Sequence, residues 1–363
     1  MTQKKFVGLD VHRDTIAIVV IDEQGNSLIQ SVVATEVEVI RDFLIGLSGK
    51  VYVTFEVGTQ SNWLYHQINP IVHKVVVCNP RHNKFLMVGN KADLIDAEKL
   101  AQLLRLDSLK EVWQHSAAQL HLKELVRTHE NLVSDCVRVK NRIKAIYRSH
   151  GIKCSGTSVY GPGKREMWLT KLGTPGMGFR ADTLLTELDT LTKLRKQTKL
   201  EMFRKARKHA DYKRLCQIPG LGFISVSYLL AQVGTPFRFK SKRQFWKYCG
   251  FAVNTHSSAD HQIVDGKLQK RIKQTSTRGL TRHYCHRLKA VFKSAAQTSS
   301  SREPFCFYYE NLIAKGTRPA LAQVALARKI AATTLSIWKN QSDFDGKRVA
   351  AQGIKYKQLV ETQ

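Results

Sequence analysis

The chain has 363 residues, 43% of them hydrophobic, and a formal net charge of +29. That length suits about two or three domains, and that apolar content excludes a disordered tail. A positive excess of this size self-repels unless a polyanion neutralises it, so nucleic acid is the first expected partner and an anionic membrane surface the second.

No stretch approaches the ~20 consecutive apolar residues of a transmembrane helix. Residues 1–6 lead into an alternating strand pattern that soon meets Asp10, which is not the pattern of a signal peptide. Seven cysteines, an odd number without any C-x-x-C pair, support neither a zinc site nor a disulfide framework. Reduced thiols in a cytoplasm are the expectation. The charge is also unevenly placed. Residues 1–100 hold 10 Lys/Arg and 11 Asp/Glu, whereas residues 101–363 hold 48 and 18. An acidic-neutral module is joined to a polyanion-binding body.

In chain order, residues 5–9 predict a first strand leading to Asp10. Residues 15–21, rich in β-branched types, predict a second, and residues 27–34 a third, with Glu23-Gln24-Gly25-Asn26 as the turn between them. Residues 36–48 read as a helix, 51–55 as a fourth strand ending at Glu56, and 61–68 as a helix. Residues 73–78 read as a fifth strand, stopped by Asn79-Pro80, and 94–105 as an amphipathic helix. Three strands followed by helix–strand–helix–strand–helix is the order of an α/β, RNase-H-like domain, placed over residues 1–115.

Residues 116–210 predict a helical coiled-coil segment. Leu122, Leu125, His129, Leu132, Cys136, Val139, Ile143 and Ile146 alternate three and four apart, an a/d seam. Residues 151–178, rich in Gly, Ser and Pro, read as a loop. Residues 182–208 read as a second helix with Leu184, Leu188 and Leu191 on one face. The pair is either an antiparallel hairpin spacing two domains or a coiled coil that also dimerises the chain. The remaining residues, 211–363, predict a mainly α domain. In it Ile218-Pro219-Gly220-Leu221-Gly222 resembles the hairpin of a helix-hairpin-helix element, whose backbone N–H groups face a phosphate. Arg238, Lys240, Lys242, Arg243 and Lys247 then interleave with Phe239, Phe245 and Trp246. This mixture suits a nucleic-acid surface, or else a solvated helix with its aromatics in the core.

Four acids stand out by position: Asp10 after the first strand, Glu56 ending the fourth, and Asp93 and Asp96 opening a helix. First and fourth strands are neighbours in an RNase-H-like sheet, and an i, i+3 pair shares one helix face. Each acid alone has an ordinary reading, Asp93 as an N-cap among them. Together they are expected to converge, and clustered carboxylates call for Mg²⁺ or Mn²⁺, which accept oxygen ligands and leave positions open for phosphate.

These motifs resemble the transposases of insertion-sequence family 110, which also includes Piv-type DNA invertases. The likeness runs over essentially the whole chain. It is carried by Gly8-Leu9-Asp10, Phe55-Glu56, Lys91-Ala92-Asp93-Leu94-Ile95-Asp96-Ala97, Asn141-Arg142-Ile143-Lys144-Ala145, Ile218-Pro219-Gly220-Leu221-Gly222, Tyr248-Cys249-Gly250 and Ala327-Arg328-Lys329-Ile330. The resemblance implies a RuvC-like domain with a D-E-D-D tetrad and a C-terminal domain with a nucleophilic serine. The offset from Gly250 points to Ser258. Ala259 stands where the family has glycine and Val253 where it has proline, so Ser257 is the alternative. The family's basic serine element is matched loosely by Ser276-Thr277-Arg278-Gly279, and Arg328 and Lys329 read as phosphate clamps or as a basic helix face.

The implied reaction is cutting and rejoining of donor and target DNA through a 5′-phosphoserine link. A structured guide RNA and a homo-oligomer, dimer or tetramer, are implied as partners, with no membrane. Rival readings are a hydrolytic RuvC-like junction nuclease, in which Ser258 is idle, and a non-catalytic RNA- or DNA-binding protein.

Overall fold

The computed structural model describes residues 3–80, 92–256, 261–264, 267–270 and 276–351. The chain divides into two compact units, Met1–Ser116 and Ala117–Gln363.

The first unit holds strands β1 (Lys4–Val11), β2 (Thr15–Ile21), β3 (Ser27–Ala34), β4 (Lys50–Glu56) and β5 (Lys74–Cys78), with helices α1 (Val37–Ile45), α2 (Ser61–Ile68) and α3 (Asp93–Arg105). Its sheet has the order β3-β2-β1-β4-β5. β1, β2 and β3 are antiparallel neighbours, and β4 and β5 continue parallel to β1. This mixed α/β arrangement is consistent with an RNase-H-like domain, and every expected element of residues 5–105 is present within a few residues of its predicted bounds.

The sheet is covered on both faces. Ile16, Ile18 and Val20 of β2 join a core with Val7, Leu9, Val53 and Phe55, completed by Ile40 and Leu44 of α1 and Leu64 and Ile68 of α2. The alternate residues Ala17, Val19 and Ile21 face Ala97 and Ala101 of α3. Burial on both sides is why β2 reads as an unbroken apolar run instead of an alternating one. The α3 face is built from small residues, and Gly8 is its tightest point. A Cβ there would lie 1.9 Å from the Ala97 carbonyl oxygen and 2.7 Å from the Ala101 nitrogen. Only glycine lets α3 seat this closely on β1.

The second unit opens with α4 (Ala117–Ser149) and α6 (Pro175–Ala206), joined through two 3₁₀ turns and α5 (Arg165–Leu169). Cys136, Val139, Ile143 and Ile146 near the end of α4 share a core with Ala181, Leu185 and Leu188 near the start of α6. Leu122 and Val126, near the start of α4, share another with Met202 and Ala206. The two helices therefore run antiparallel, and much of the heptad seam is consumed within the chain. Three details differ from the sequence reading. Residues 151–178 are not simply a loop, because α5 and the first turns of α6 lie there and Trp168 and Leu172 close the hairpin core. α6 begins at Pro175, a favoured first helical residue, and Gly176 and Gly178 obscured that start. The buried face of α6 runs through Ala181, Leu185 and Leu188, with Leu184 and Leu191 only at its edge.

The remaining elements are α7 (Tyr212–Leu215), α8 (Phe223–Val233), α9 (Lys242–Tyr248), β6 (Val253–His256), β7 (His261–Val264), β8 (Lys267–Lys270), β9 (Ser276–Leu280), α10 (His286–Ser299), α11 (Phe305–Ala314) and α12 (Pro319–Asn340). The region is mainly helical, as expected. It also carries two small antiparallel sheets, β6 with β9 and β7 with β8, where the sequence suggested a polar loop. Gly220, at φ +85°, lies against α10, where a Cβ would meet Ser299 Oγ at 2.5 Å, and Gly222 precedes α8 as its N-cap. None of the seven cysteines is in a disulfide, and no helix of the described residues is long and apolar enough to cross a membrane.

Candidate active site

β1 places its residues alternately on the two faces of the sheet. Val7 and Leu9 point to the α1 and α2 side, which leaves Phe6, Gly8 and Asp10 on the α3 side. β4 pairs with β1 in a register that matches Gly8 with Thr54 and Leu9 with Phe55. One residue further, the same register sets Glu56 beside Asp10 at the carboxyl ends of two parallel strands. α3 begins with Asp93, its N-cap position being Ala92, so Asp93 is not the N-cap that its sequence context allowed. Asp93 and Asp96 instead both lie in the first turn, where the helix dipole favours negative charge. The close approach at Gly8 fixes where that turn sits relative to Asp10.

The structure brings Asp10 and Asp93 together and adds a residue that the tetrad omitted. His12 Nε2 lies 3.2 Å from Asp10 Oδ2 and 3.4 Å from Asp93 Oδ1. One ligand atom from each of the three lies within 4.8 Å of the others. Asp10 is the most enclosed of the three, its side chain 27% exposed against 50% for His12 and 63% for Asp93. Burial pushes the Asp10 carboxyl above the usual carboxylate range. The His12 charge and hydrogen bond pull it back, and the negative charges of Asp93 and Asp96 push it up again. Asp96 thus stands close enough to be felt, although neither it nor Glu56 belongs to the 4.8 Å group. Asp96 Oδ1 accepts from Lys99 Nζ at 3.5 Å. His12 was legible in principle, since it lies two residues beyond Asp10, immediately after the end of β1.

The second candidate region is the root of the β6–β9 hairpin. Ser257 and Ser258 lie outside the described residues; His256, taken from the sequence as a loop residue, ends β6. The segment leading to them is firmly held. Gly250, at φ +76°, faces the Tyr284 ring, where a Cβ would meet the ring at 2.6 Å. Phe251 is fully buried, its carbonyl accepts from Arg328 Nε at 2.7 Å, and the Ala252 carbonyl accepts from Thr281 N at 2.9 Å.

The basic candidates divide. Lys240, Lys242, Arg243 and Lys247 are exposed. Arg238 is turned inward, which corrects its place in an exposed row. It donates to the Gln232 and Val233 carbonyls at 3.4 and 3.2 Å and lies over the Tyr248 ring at 4.8 Å. Phe239 and Phe245 are core residues, so they are not a stacking platform for bases. Trp246 Nε1 donates to the Arg328 carbonyl at 2.9 Å and carries Lys242 over its ring at 5.8 Å. Arg328 and Lys329 are half-buried, and burial lowers the pKa of each. For Lys329 the charge of Lys242 lowers it further.

Two family profiles match the chain. Residues 7–150 match a transposase profile of the DEDD type named for IS110, and residues 212–309 match one described as the transposase IS116/IS110/IS902 family. The chain belongs to the IS110 family of insertion-sequence transposases. Among its relatives are the transposase for insertion sequence element IS1111A of Coxiella burnetii, 23% identical over 73% of each chain, and a probable family 20 transposase of Pseudomonas aeruginosa, 26% identical over 80% of this chain and 84% of the relative. The transposase for element IS1328 of Yersinia enterocolitica is 22% identical over 90% and 96%. In this transposase the acids Asp10, Glu56, Asp93 and Asp96 fall inside the first profile, in the order its name spells. Ser257 and Ser258 fall inside the second.

Proposed function

We propose that this transposase cuts and rejoins the DNA of its own insertion sequence, donor and target, through a covalent 5′-phosphoserine link at Ser258. The observation that supports the reading best is the meeting of Asp10 with Asp93 where α3 seats on Gly8, on a chain whose other unit carries the positive charge. Asp10, Glu56, Asp93 and Asp96 are the residues that would hold a divalent ion, Mg²⁺ or Mn²⁺. The fit rests on the donor set: carboxylate oxygens that repel one another, one of them with a raised pKa, at the open end of two strands. A bound ion would supply charge stabilisation at a scissile phosphate.

The chain's own groups do the rest. The hydroxyl of Ser258 attacks phosphorus, the bond from phosphorus to the 3′ oxygen breaks, and the departing 3′ oxygen takes up a proton in place of the one the serine loses. Attack by the 3′-hydroxyl of another strand reverses these steps and frees the serine, so rejoining needs no ATP. The anchored segment from Gly250 to Ala252 holds the start of β6, the strand that precedes Ser258 in the sequence. Lys240, Lys242, Arg243 and Lys247 track phosphates, and Lys329 adds its charge to the same anions. Arg238 and Arg328 position backbone around that surface. The Pro219–Gly222 turn lies before α8 as in a helix-hairpin-helix element, and the α4–α6 hairpin carries contacts between protomers of an oligomer. Work of this kind belongs to the cytoplasm and its nucleoid, with a structured guide RNA as the second polyanion.

The test is to incubate the protein with its element's flanking DNA and RNA, digest it, and identify the DNA-linked peptide by mass spectrometry. The link is expected at Ser258 and absent from Ser258→Ala, with Ser257→Ala unaffected. Attachment at Ser257 moves the nucleophile by one residue. Free 5′-phosphate ends made equally well by Ser258→Ala would establish hydrolysis instead, and binding without any cleavage would establish a non-catalytic protein.

A further inference from the structure

Three observations single out His12. Its ring is half in solvent, so it contributes little to the core. Its backbone is nonetheless pinned on both sides: its N–H donates to the Thr15 carbonyl at 3.0 Å, closing the β1–β2 turn, and its carbonyl accepts from Thr35 Oγ1 at 3.2 Å. The ring so held puts Nε2 within 3.4 Å of two carboxylates on two different elements. A side chain fixed by its backbone and aimed at acids is the arrangement of a preorganised ligand.

The spacing agrees. Neighbouring ligands on one six-coordinate ion with bonds of about 2.1 Å stand about 3.0 Å apart. The separations of 3.2 and 3.4 Å from Nε2 to the two carboxylate oxygens lie within a few tenths of an ångström of that spacing. Imidazole nitrogen is also a ligand that transition ions accept and that Mg²⁺, with its strong preference for oxygen, does not favour.

We infer that His12 is a nitrogen ligand of the metal centre, making it a mixed nitrogen–oxygen site in which Mn²⁺ gains more from His12 than Mg²⁺ does. The inference rests on the reading of Asp10 and Asp93 as metal ligands, and goes beyond it by adding a residue outside the four acids.

The experiment uses the full chain and Mn²⁺ itself as the probe, with pulsed electron paramagnetic resonance reading whether nitrogen is bonded directly to the ion. The wild type is expected to show that nitrogen coupling and His12→Gln to lose it. Calorimetric titration should show Mn²⁺ affinity falling by about tenfold or more in His12→Gln, a loss at least as large as removing an outer-shell partner causes, while Mg²⁺ affinity changes by less than about threefold. Glutamine keeps the length and polarity of the side chain, and an unchanged melting temperature without metal excludes a folding defect. Mn²⁺ bound with an all-oxygen signature in the wild type would overturn the role of His12 and leave the acids as the centre. Failure of the wild type to bind Mn²⁺ at all would overturn both.

Discussion

The two units solve opposite electrostatic problems. Residues 1–116 carry 12 Lys/Arg against 13 Asp/Glu, and residues 117–363 carry 46 against 16. In the first unit, acids are forced together by backbone packing, at Asp10 and the first turn of α3, and a cation resolves the repulsion. In the second, lysines and arginines accumulate on helices whose apolar faces are already committed, and a polyanion resolves it. The helical hairpin shows the second pattern most plainly. Residues 138–171 hold nine Lys/Arg and one acid, Glu166. Of these, Arg138, Arg142 and Arg165 pair with Asp135, Glu187 and Asp189, while Lys140 and Lys144 lie over the Tyr160 ring. Chemistry and grip are thus separable by charge, and each can be removed without the other.

The sharpest break is Asp10→Asn, which should lower strand transfer by about a thousandfold or more, the scale of losing charge stabilisation at a phosphate. Filter or gel binding of the same variant should be unchanged, because the polyanion surface lies in the other unit. Equal loss of binding would show that the two units do not divide the work. Next in size, raising salt from about 50 to 200 mM should weaken nucleic-acid binding by about a thousandfold if six to ten phosphates are neutralised. A shallow slope in that titration would remove the phosphate-dominated interface.

Gly8→Ala sharpens the comparison from the structural side. It drives a methyl into the backbone of α3 and should cost about 2–3 kcal/mol in denaturant unfolding, with metal affinity falling as Asp93 moves away from Asp10. Lys242→Ala should weaken binding by a smaller, sequence-independent factor and reduce the salt slope by about 1.

The smallest effect has the opposite sign. Because burial raises the Asp10 pKa in the folded protein, its ionised form opposes folding above the carboxylate range, and this penalty fades as pH falls through the folded pKa. In metal-free buffer near neutral pH, Asp10→Asn should therefore raise the melting temperature by about 1–2 °C, modest because the carboxyl is partly solvated. The gain should vanish in acid. A lower melting temperature at neutral pH would mean that Asp10 is held by favourable contacts and not by strain among charges.

Residues 5–105 were legible almost element by element, because alternating and 3.6-residue apolar patterns are local properties that survive in the sequence. The strand-end position of Asp10 and Glu56 and the helix-start position of Asp93 and Asp96 followed from the same patterns. The α5 helix and the first turns of α6 were not legible, since Gly, Ser and Pro dominate there and only the packing of Trp168, Ala181 and Leu185 makes the segment ordered. Arg238 misled for the reverse reason, and Phe239 stayed open between surface and core: a basic and aromatic composition does not say which way a side chain turns, and for Arg238 the Gln232 and Val233 carbonyls and the Tyr248 ring decided it.

Composition and periodicity alone established a charge-divided chain, an α/β first unit and four candidate acids at strand ends and a helix start. Tertiary structure decided which atoms meet. That Gly8 is the point where α3 touches β1, that Asp93 approaches Asp10, and that His12 stands between them depend on contacts between residues more than eighty positions apart. Local spacing carries no record of such distances, because two strands and a helix must first pack before their ends can share one site.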